Sequence, residues 1–423
     1  IRLKNPSVKE ANELMKYILV IGDGMADTSL PQLAGKTPLE ALALNSFDRC
    51  AGCFCGRALT VPHGLPAGSD TAILSIFGCS PKTYYPGRSV LEAAGMGVTV
   101  PDGCISFRVN LCAVTPDGEG ELVIHSHNGG NIEGDEAETL MNDLLADPRF
   151  QPAKEAAKLH VHVSRTFRHI GVFADVDEAA VFQTTEPHNV LEQDVALHYP
   201  TGAMKDEITA LMKASYEVLK DHPINQARIA AGKLPANMIW PWGAGRAMLL
   251  DNFVEKYGRT GTVISAVPLV WGIAELAGLK HPEVPGANGD LDTNYAGKVD
   301  AAIAALKNGD DFAAIHVEAP DEMTHAGKLP EKMEAIRRLD QQVIKPLLEK
   351  LPELGDFRIL LLSDHKTLTS TRGHDGDPVP FLIYDSRTDS GFGGLYDEET
   401  GMTGPFVERG CDLLSILFEQ KSL

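Results

Sequence analysis

Three apolar runs in this chain each end on an aspartate, and that recurrence limits the folds open to it. "KYILVIGD" (16–23), "DDFAAIHVEAPD" (310–321) and "DFRILLLSDH" (356–365) are rich in Ile, Leu, Val and Ala. Such runs read as buried strands rather than half-exposed ones. "TGTVISAVPLVWGIAELAG" (260–278) adds a strand, a turn and a helix, and "VPFLIYD" (379–385) a late strand. Helical patterns such as "KVDAAIAALKN" and "EKMEAIRRLDQQVIKPLLEKL" lie between them. The alternation predicts an α/β fold with a central, mostly parallel sheet between helices.

The middle of the chain reads differently. Between 114 and 238 lie His125, His127, His160, His162, His169, His188, His198 and His222, eight of the 14 histidines. A β-like run (158–173) and a helix pattern (206–222) share this stretch, and the α/β pattern resumes near 245. The expected organisation is a core of 15–113 and 239–423 with a smaller α+β domain, 114–238, inserted as a substrate-binding cap. Residues 1–14 precede the first strand as an added N-terminal extension.

A formal charge of −20 argues against nucleic acid or an anionic membrane as partner. A small anionic substrate stays open, because a few arginines or a metal reverse the sign of a pocket. No run reaches the roughly 18 to 20 apolar residues of a membrane span, and the start lacks a signal-peptide core. The expected location is the cytoplasm, and the oligomeric state is left open. "CAGCFC" (50–55) has no second Cys/His pair at zinc-finger spacing. It reads as small buried residues in a reducing compartment.

Ligands of open α/β sheets bind beyond the carboxyl ends of the strands, so Asp23, Asp321 and Asp364 are candidates for one site. Histidines accompany them. His325 lies four residues after Asp321, one helical turn on; His365 follows Asp364 directly; and His374 sits in the Gly-rich "TRGHDGDP". Carboxylate with imidazole and no thiolate suits Mn²⁺, Zn²⁺ or Mg²⁺. Six ligands exceed what one ion needs beside a substrate, which points to two. "LPAGSDTAILSIFG" (65–78) places Ser69 before an apolar helix, where it is either an N-cap or a nucleophile.

Taken in order, "IGDGMAD", "GLPAGSDTAILSIFG", "YYPGRSVLEAAGMGV", "DHPINQARIAAGKLPANMIWPWGAGR", "VEAPDEMTHAGK" and "SDH…H" resemble the archaeal-type cofactor-independent phosphoglycerate mutases, members of the alkaline phosphatase superfamily. The resemblance runs from about Met15 to the C-terminus. It implies an alkaline-phosphatase-like core and interconversion of 3- and 2-phosphoglycerate without bisphosphoglycerate, through a phosphoserine on Ser69. It also implies that Ser69, Asp23, Asp364 and His365 hold one metal, and Asp321, His325 and His374 the second. The substrate is then a small phosphorylated carboxylate. Its charges want guanidinium forks, for which Arg168, Arg228 and Arg246 are candidates, with Lys298 as a phosphate partner. "HSHNGGNI" stands where the family pattern has "DYSAGHI", and "TTEPHNVLEQD" where it has "CTPPHDILGK". His125 and His127 in the first of these are candidate acid/base or phosphate contacts. Alternative readings are a phosphotransferase or phosphatase for another small molecule, such as a homoserine kinase-like enzyme, or an inactive metal-binding, partner-docking protein.

Overall fold

A computed structural model describes residues 15–52, 54–85, 87–177, 180–247, 250–388 and 393–422. The expected extension at 1–14, and Cys53 of "CAGCFC", lie outside them. The chain forms two compact units, Ile1–Tyr85 with Leu249–Leu423, and Pro86–Met248.

The first unit is built on a seven-stranded sheet. Its order is Gly261–Ile264, Phe312–Val317, Lys16–Gly22, Phe357–Leu362, Val379–Asp385, Cys55–Ala58 and Phe406–Val407. The first four strands are parallel, and Val379–Asp385 runs antiparallel to both its neighbours. Lys16–Gly22 is central: Gly22 pairs with Val317 on one side, and Ile21 with Leu362 on the other. The three Asp-terminated runs are therefore adjacent parallel strands, and their carboxyl ends share one sheet edge. Side chains from these strands, among them Ile18, Val20, Ile315, Ile359 and Leu361, pack with Val299, Ile336, Leu339 and Val343 into one buried core. That burial on both faces is why the strand sequences lack polar alternation.

The second unit is an antiparallel sheet whose spine is the strand Ile105–Pro116. It pairs with Leu122–Ser126, Arg168–Phe173 and Met238–Arg246, and Leu159–His162 extends the sheet at its edge. Helices Gly134–Ala146 and Lys205–Leu219 supply Leu140, Leu144, Leu211 and Leu219 to its core. This α+β unit is wider than the expected 114–238, because its spine strand starts at Ile105. The helix Arg88–Gly95 belongs to it as well, with Val90 and Ala93 packed against Ile170 and Val172.

Candidate active site

Asp23, Asp364 and Asp321 follow the three central strands, and each is nearly inaccessible to solvent. Asp364 Oδ1 accepts from Gly24 N–H at 3.1 Å and from His365 N–H at 2.9 Å. Gly24 has a φ of +59°, and a Cβ there would lie 2.3 Å from Thr367 Oγ1 and 2.6 Å from Asp321 Oδ1. Only glycine lets the "GDG" turn pass this close to the neighbouring strand ends.

The helix Ala319–His325 places Asp321 and His325 on one face, with His325 Nε2 3.1 Å from Asp321 Oδ2. His374 arrives by a short hairpin, Lys366–Leu368 with Gly373–Asp375, in which Thr367 pairs with His374. Its Nε2 is 2.9 Å from His325 Nε2 and 3.4 Å from Asp321 Oδ1. Thr367 Oγ1 donates to Asp321 Oδ1 at 2.5 Å and stands 3.2 Å from His365 Nδ1, so it touches both halves of the cluster. The hairpin is anchored by Lys332, whose Nζ donates to Thr367 O and to Asp27 Oδ2 in an ion pair fully closed to solvent.

Ser69 is the first residue of the helix Ser69–Ile76, after an extended Gly68, and no side chain caps that helix. Its Oγ donates instead to Asp23 Oδ2 at 3.3 Å and lies 3.2 Å from His365 Nε2. The serine thus turns away from the capping role and into the acidic cluster.

Two sets of potential ligand atoms converge within 4.8 Å: Asp23 with Asp364 and His365, and Asp321 with His365 and His374. Asp23 Oδ1 and Asp364 Oδ2 are buried with no hydrogen bond. His365 Nε2 stands 3.7 Å from the first and 3.3 Å from the second. Burial, with Asp364 and Asp321 close by, pushes Asp23 well above the usual carboxylate range. Burial also works against Asp321, but His325 and His374 outweigh it and hold that carboxyl well below its ordinary value. A hydrogen bond to Asp321 in turn lifts His325 to about 9. Crowded buried carboxylates with orphaned oxygens and neighbouring imidazoles fit divalent cations, which supply the missing charge.

The inserted unit carries a second polar cluster. Arg108, buried within a strand, places its Nε 2.9 Å from Glu92 Oε2 and its guanidinium 4.0 Å from the Trp242 ring centroid. Arg88 Nε donates to Glu92 Oε1 at 3.1 Å. Burial alone would raise Glu92, but Arg108, Arg168 and Arg88 bring it down to about 2. Trp242 Nε1 donates to Asn110 Oδ1, whose amide donates to His127 O. The rings of His127 and His188, and of His188 and Trp242, are edge to face. Arg168 Nε is buried without a hydrogen bond. Burial, then His188, Arg168 and Arg108, hold His127 below its ordinary value. Sequence reading reached Arg168 and His127. It did not single out Arg108, Glu92, His188 or Trp242, although "TTEPHNVLEQD" carries His188 and an arginine stands within the apolar strand "ISFRVNLCAV".

The remaining candidates have partners of their own. Arg228 spends its guanidinium on Gly129 O, Gly130 O, Leu234 O and Glu136. Arg246 donates to Asp177 O and Ala180 O. Lys298 is buried and donates to His316 O at 2.9 Å. His125 is held by Thr115 and Glu192. Cys50 is buried and Cys55 half-buried. Among the described residues, no helix is long and apolar enough to cross a membrane.

The architecture is that of a two-unit α/β protein with a serine set into a carboxylate–histidine cluster. Residues 51–225 match the family model of 2,3-bisphosphoglycerate-independent phosphoglycerate mutase. The protein of that name from Methanosarcina acetivorans is 41% identical over 95% of this chain and 99% of its own. One from Methanothermobacter thermautotrophicus is 40% identical, covering 92% of this chain and 94% of its own. A solved protein of Pyrococcus horikoshii superposes with a TM-score of 0.76 at 27% identity, covering 97% of this chain and 98% of that one. The cofactor-independent phosphoglycerate mutase of Thermoplasma acidophilum shares the fold with a TM-score of 0.60 at 24% identity, over 96% and 99% of the two chains. The chain belongs to the 2,3-bisphosphoglycerate-independent phosphoglycerate mutase family.

Proposed function

We propose that this protein interconverts 3-phosphoglycerate and 2-phosphoglycerate without 2,3-bisphosphoglycerate, passing the phosphoryl group through Ser69. The observation that carries this reading is Ser69 Oγ, aimed between Asp23 Oδ2 and His365 Nε2 rather than at its own helix. Asp23, Asp364 and His365 with Ser69 would hold one divalent ion, and Asp321, His325 and His374 a second, drawn from Mn²⁺, Zn²⁺ or Mg²⁺. When bound, the ions offset charge on the phosphoryl oxygens and lower the pKa of the serine hydroxyl.

Ser69 Oγ gives up its proton and attacks phosphorus, the bond from phosphorus to the C3 oxygen breaks, and that oxygen takes up a proton. The glycerate reorients, the C2 hydroxyl loses its proton and attacks the phosphoserine, and the bond to Ser69 Oγ breaks, the serine oxygen regaining a proton. Backbone N–H groups at the start of the Ser69–Ile76 helix favour a phosphate at that position. Arg168, whose Nε has no hydrogen bond in the fold, would bind an anionic group of the substrate. Arg228, whose Nε, Nη1 and Nη2 all serve the chain's own groups, braces the structure instead.

The test is a coupled assay from 3-phosphoglycerate with Mn²⁺ and no bisphosphoglycerate, on the wild type and Ser69→Ala. The expected result is turnover by the wild type and none by the variant, with Mn²⁺ still bound by both. Full metal loading without turnover by the wild type would refute the substrate assignment, and turnover by Ser69→Ala would refute the phosphoserine.

A further inference from the structure

We propose that His316, itself fixed by Ser265, is a positioning residue that sets Asp23 as a metal ligand. The inference rests on the metal-site reading above. His316 lies within the strand Phe312–Val317, beside the strand that ends at Asp23, and is closed to solvent. Its Nε2 is 2.9 Å from Asp23 Oδ2, and its Nδ1 is 3.1 Å from Ser265 Oγ. Val267 N–H donates to the same Ser265 Oγ at 3.1 Å.

The donors and acceptors admit one direction through this chain. As a metal ligand Asp23 must be ionised, and an ionised carboxylate only accepts, so Nε2 then carries the imidazole proton. Nδ1 of the neutral ring then accepts from the Ser265 hydroxyl, whose oxygen accepts from Val267 N–H. Both ring nitrogens are therefore committed, and His316 orients a ligand without being one. Lys298 Nζ holds the His316 carbonyl, which fixes the backbone from which the ring projects.

The consequence falls on Asp23. Its Oδ2 is pinned by the imidazole and accepts from Ser69 Oγ, so Oδ1, buried and without a hydrogen bond, is left facing a cation. Hydrogen bonds of this kind orient ligating groups, and their removal costs roughly 10- to 100-fold in metal affinity. The sequence signal was a histidine inside an otherwise apolar strand, "FAAIHV".

The experiment is Mn²⁺ titration of the full chain by calorimetry, with thermal melts of the metal-free protein. His316→Ala, His316→Gln and Ser265→Ala are compared with wild type, and Asp23→Asn marks loss of the first site. His316→Ala should weaken the site lost in Asp23→Asn by about 10- to 100-fold and leave the other unchanged. Gln, whose amide N–H replaces the Nε2 donor, should restore most of the affinity. Ser265→Ala should weaken the same site by a smaller factor, because the ring is then free to change tautomer. Wild-type affinity at both sites in His316→Ala, or a Gln variant no better than Ala, overturns the relay while leaving the metal reading intact. A wild-type chain that takes up no divalent ion removes the metal reading and the relay together. Should His316→Ala fail to fold, unchanged affinity at both sites in Ser265→Ala overturns the proposal.

Discussion

Glu92→Gln tests whether the arginine cluster of the inserted unit is held together by one buried carboxylate. Glu92 and Arg108 are both almost closed to solvent, with side-chain exposures of 4% and 3%. Three guanidinium groups draw the Glu92 carboxyl from its ordinary 4.5 to about 2 against the opposing effect of burial. A fall of that size corresponds to about 3 kcal/mol. Breaking a buried ion pair by removing one partner costs a similar ~3–5 kcal/mol, because the other charge is stranded. Arg108 would then be buried opposite Arg168, with Glu186 as its remaining acidic neighbour. Because the folded pKa lies below the unfolded one, the stabilisation is complete above about pH 4.5 and is lost as the pH falls towards 2. Urea unfolding followed by tryptophan fluorescence is the assay, since Trp240 and Trp242 both lie in this unit. Glu92→Gln should lose about 3 kcal/mol at pH 7, the same at pH 5.5, and progressively less below pH 4.5. A loss under about 1 kcal/mol at pH 7, the worth of a solvent-exposed pair, would refute the reasoning. So would a difference that persisted undiminished at the lowest pH at which the protein folds.

Two further predictions concern the clusters themselves. Gly24→Ala puts a methyl 2.3 Å from Thr367 Oγ1 and 2.6 Å from Asp321 Oδ1, in a left-handed backbone conformation. Strain of about 1–2 kcal/mol should lower stability modestly, while Mn²⁺ affinity at the Asp321 site falls at least about 10-fold; undisturbed titration would contradict the crowding argument. Arg168→Gln removes a guanidinium whose Nε has no hydrogen bond in the fold. It should lower kcat/KM for phosphoglycerate by about 10- to 100-fold, the worth of a charged hydrogen bond, with Mn²⁺ uptake unchanged; a wild-type KM would remove Arg168 from substrate binding.

The six carboxylate and histidine candidates at and after the strand ends were legible because their signal is local. An apolar run announces a buried strand, and the polar residue that follows it must stand at a sheet edge. His325 was readable from its spacing to Asp321, and His374 from the glycines that let its hairpin turn. The inserted unit was legible as a change of pattern, but its start was misjudged. The strand from Ile105 is as apolar as a core strand, and nothing in its composition tells which sheet it joins. For Arg228, Arg246 and Lys298 a sequence shows the cation's charge and not the carbonyls that it reaches in the fold.

By itself, then, the sequence determined that buried strands end in carboxylates and imidazoles, since hydrophobic burial and chain reversal are written in consecutive residues. Tertiary structure alone decided that the strands ending at residues 22, 317 and 362 are neighbours. It also decided that Ser69 faces Asp23 instead of capping its helix, and that Glu92 gathers arginines from distant segments. These are pairings between residues far apart in the chain, fixed by strand order and by the cost of leaving a buried charge unpaired. Neither cause leaves a mark on the residues on either side.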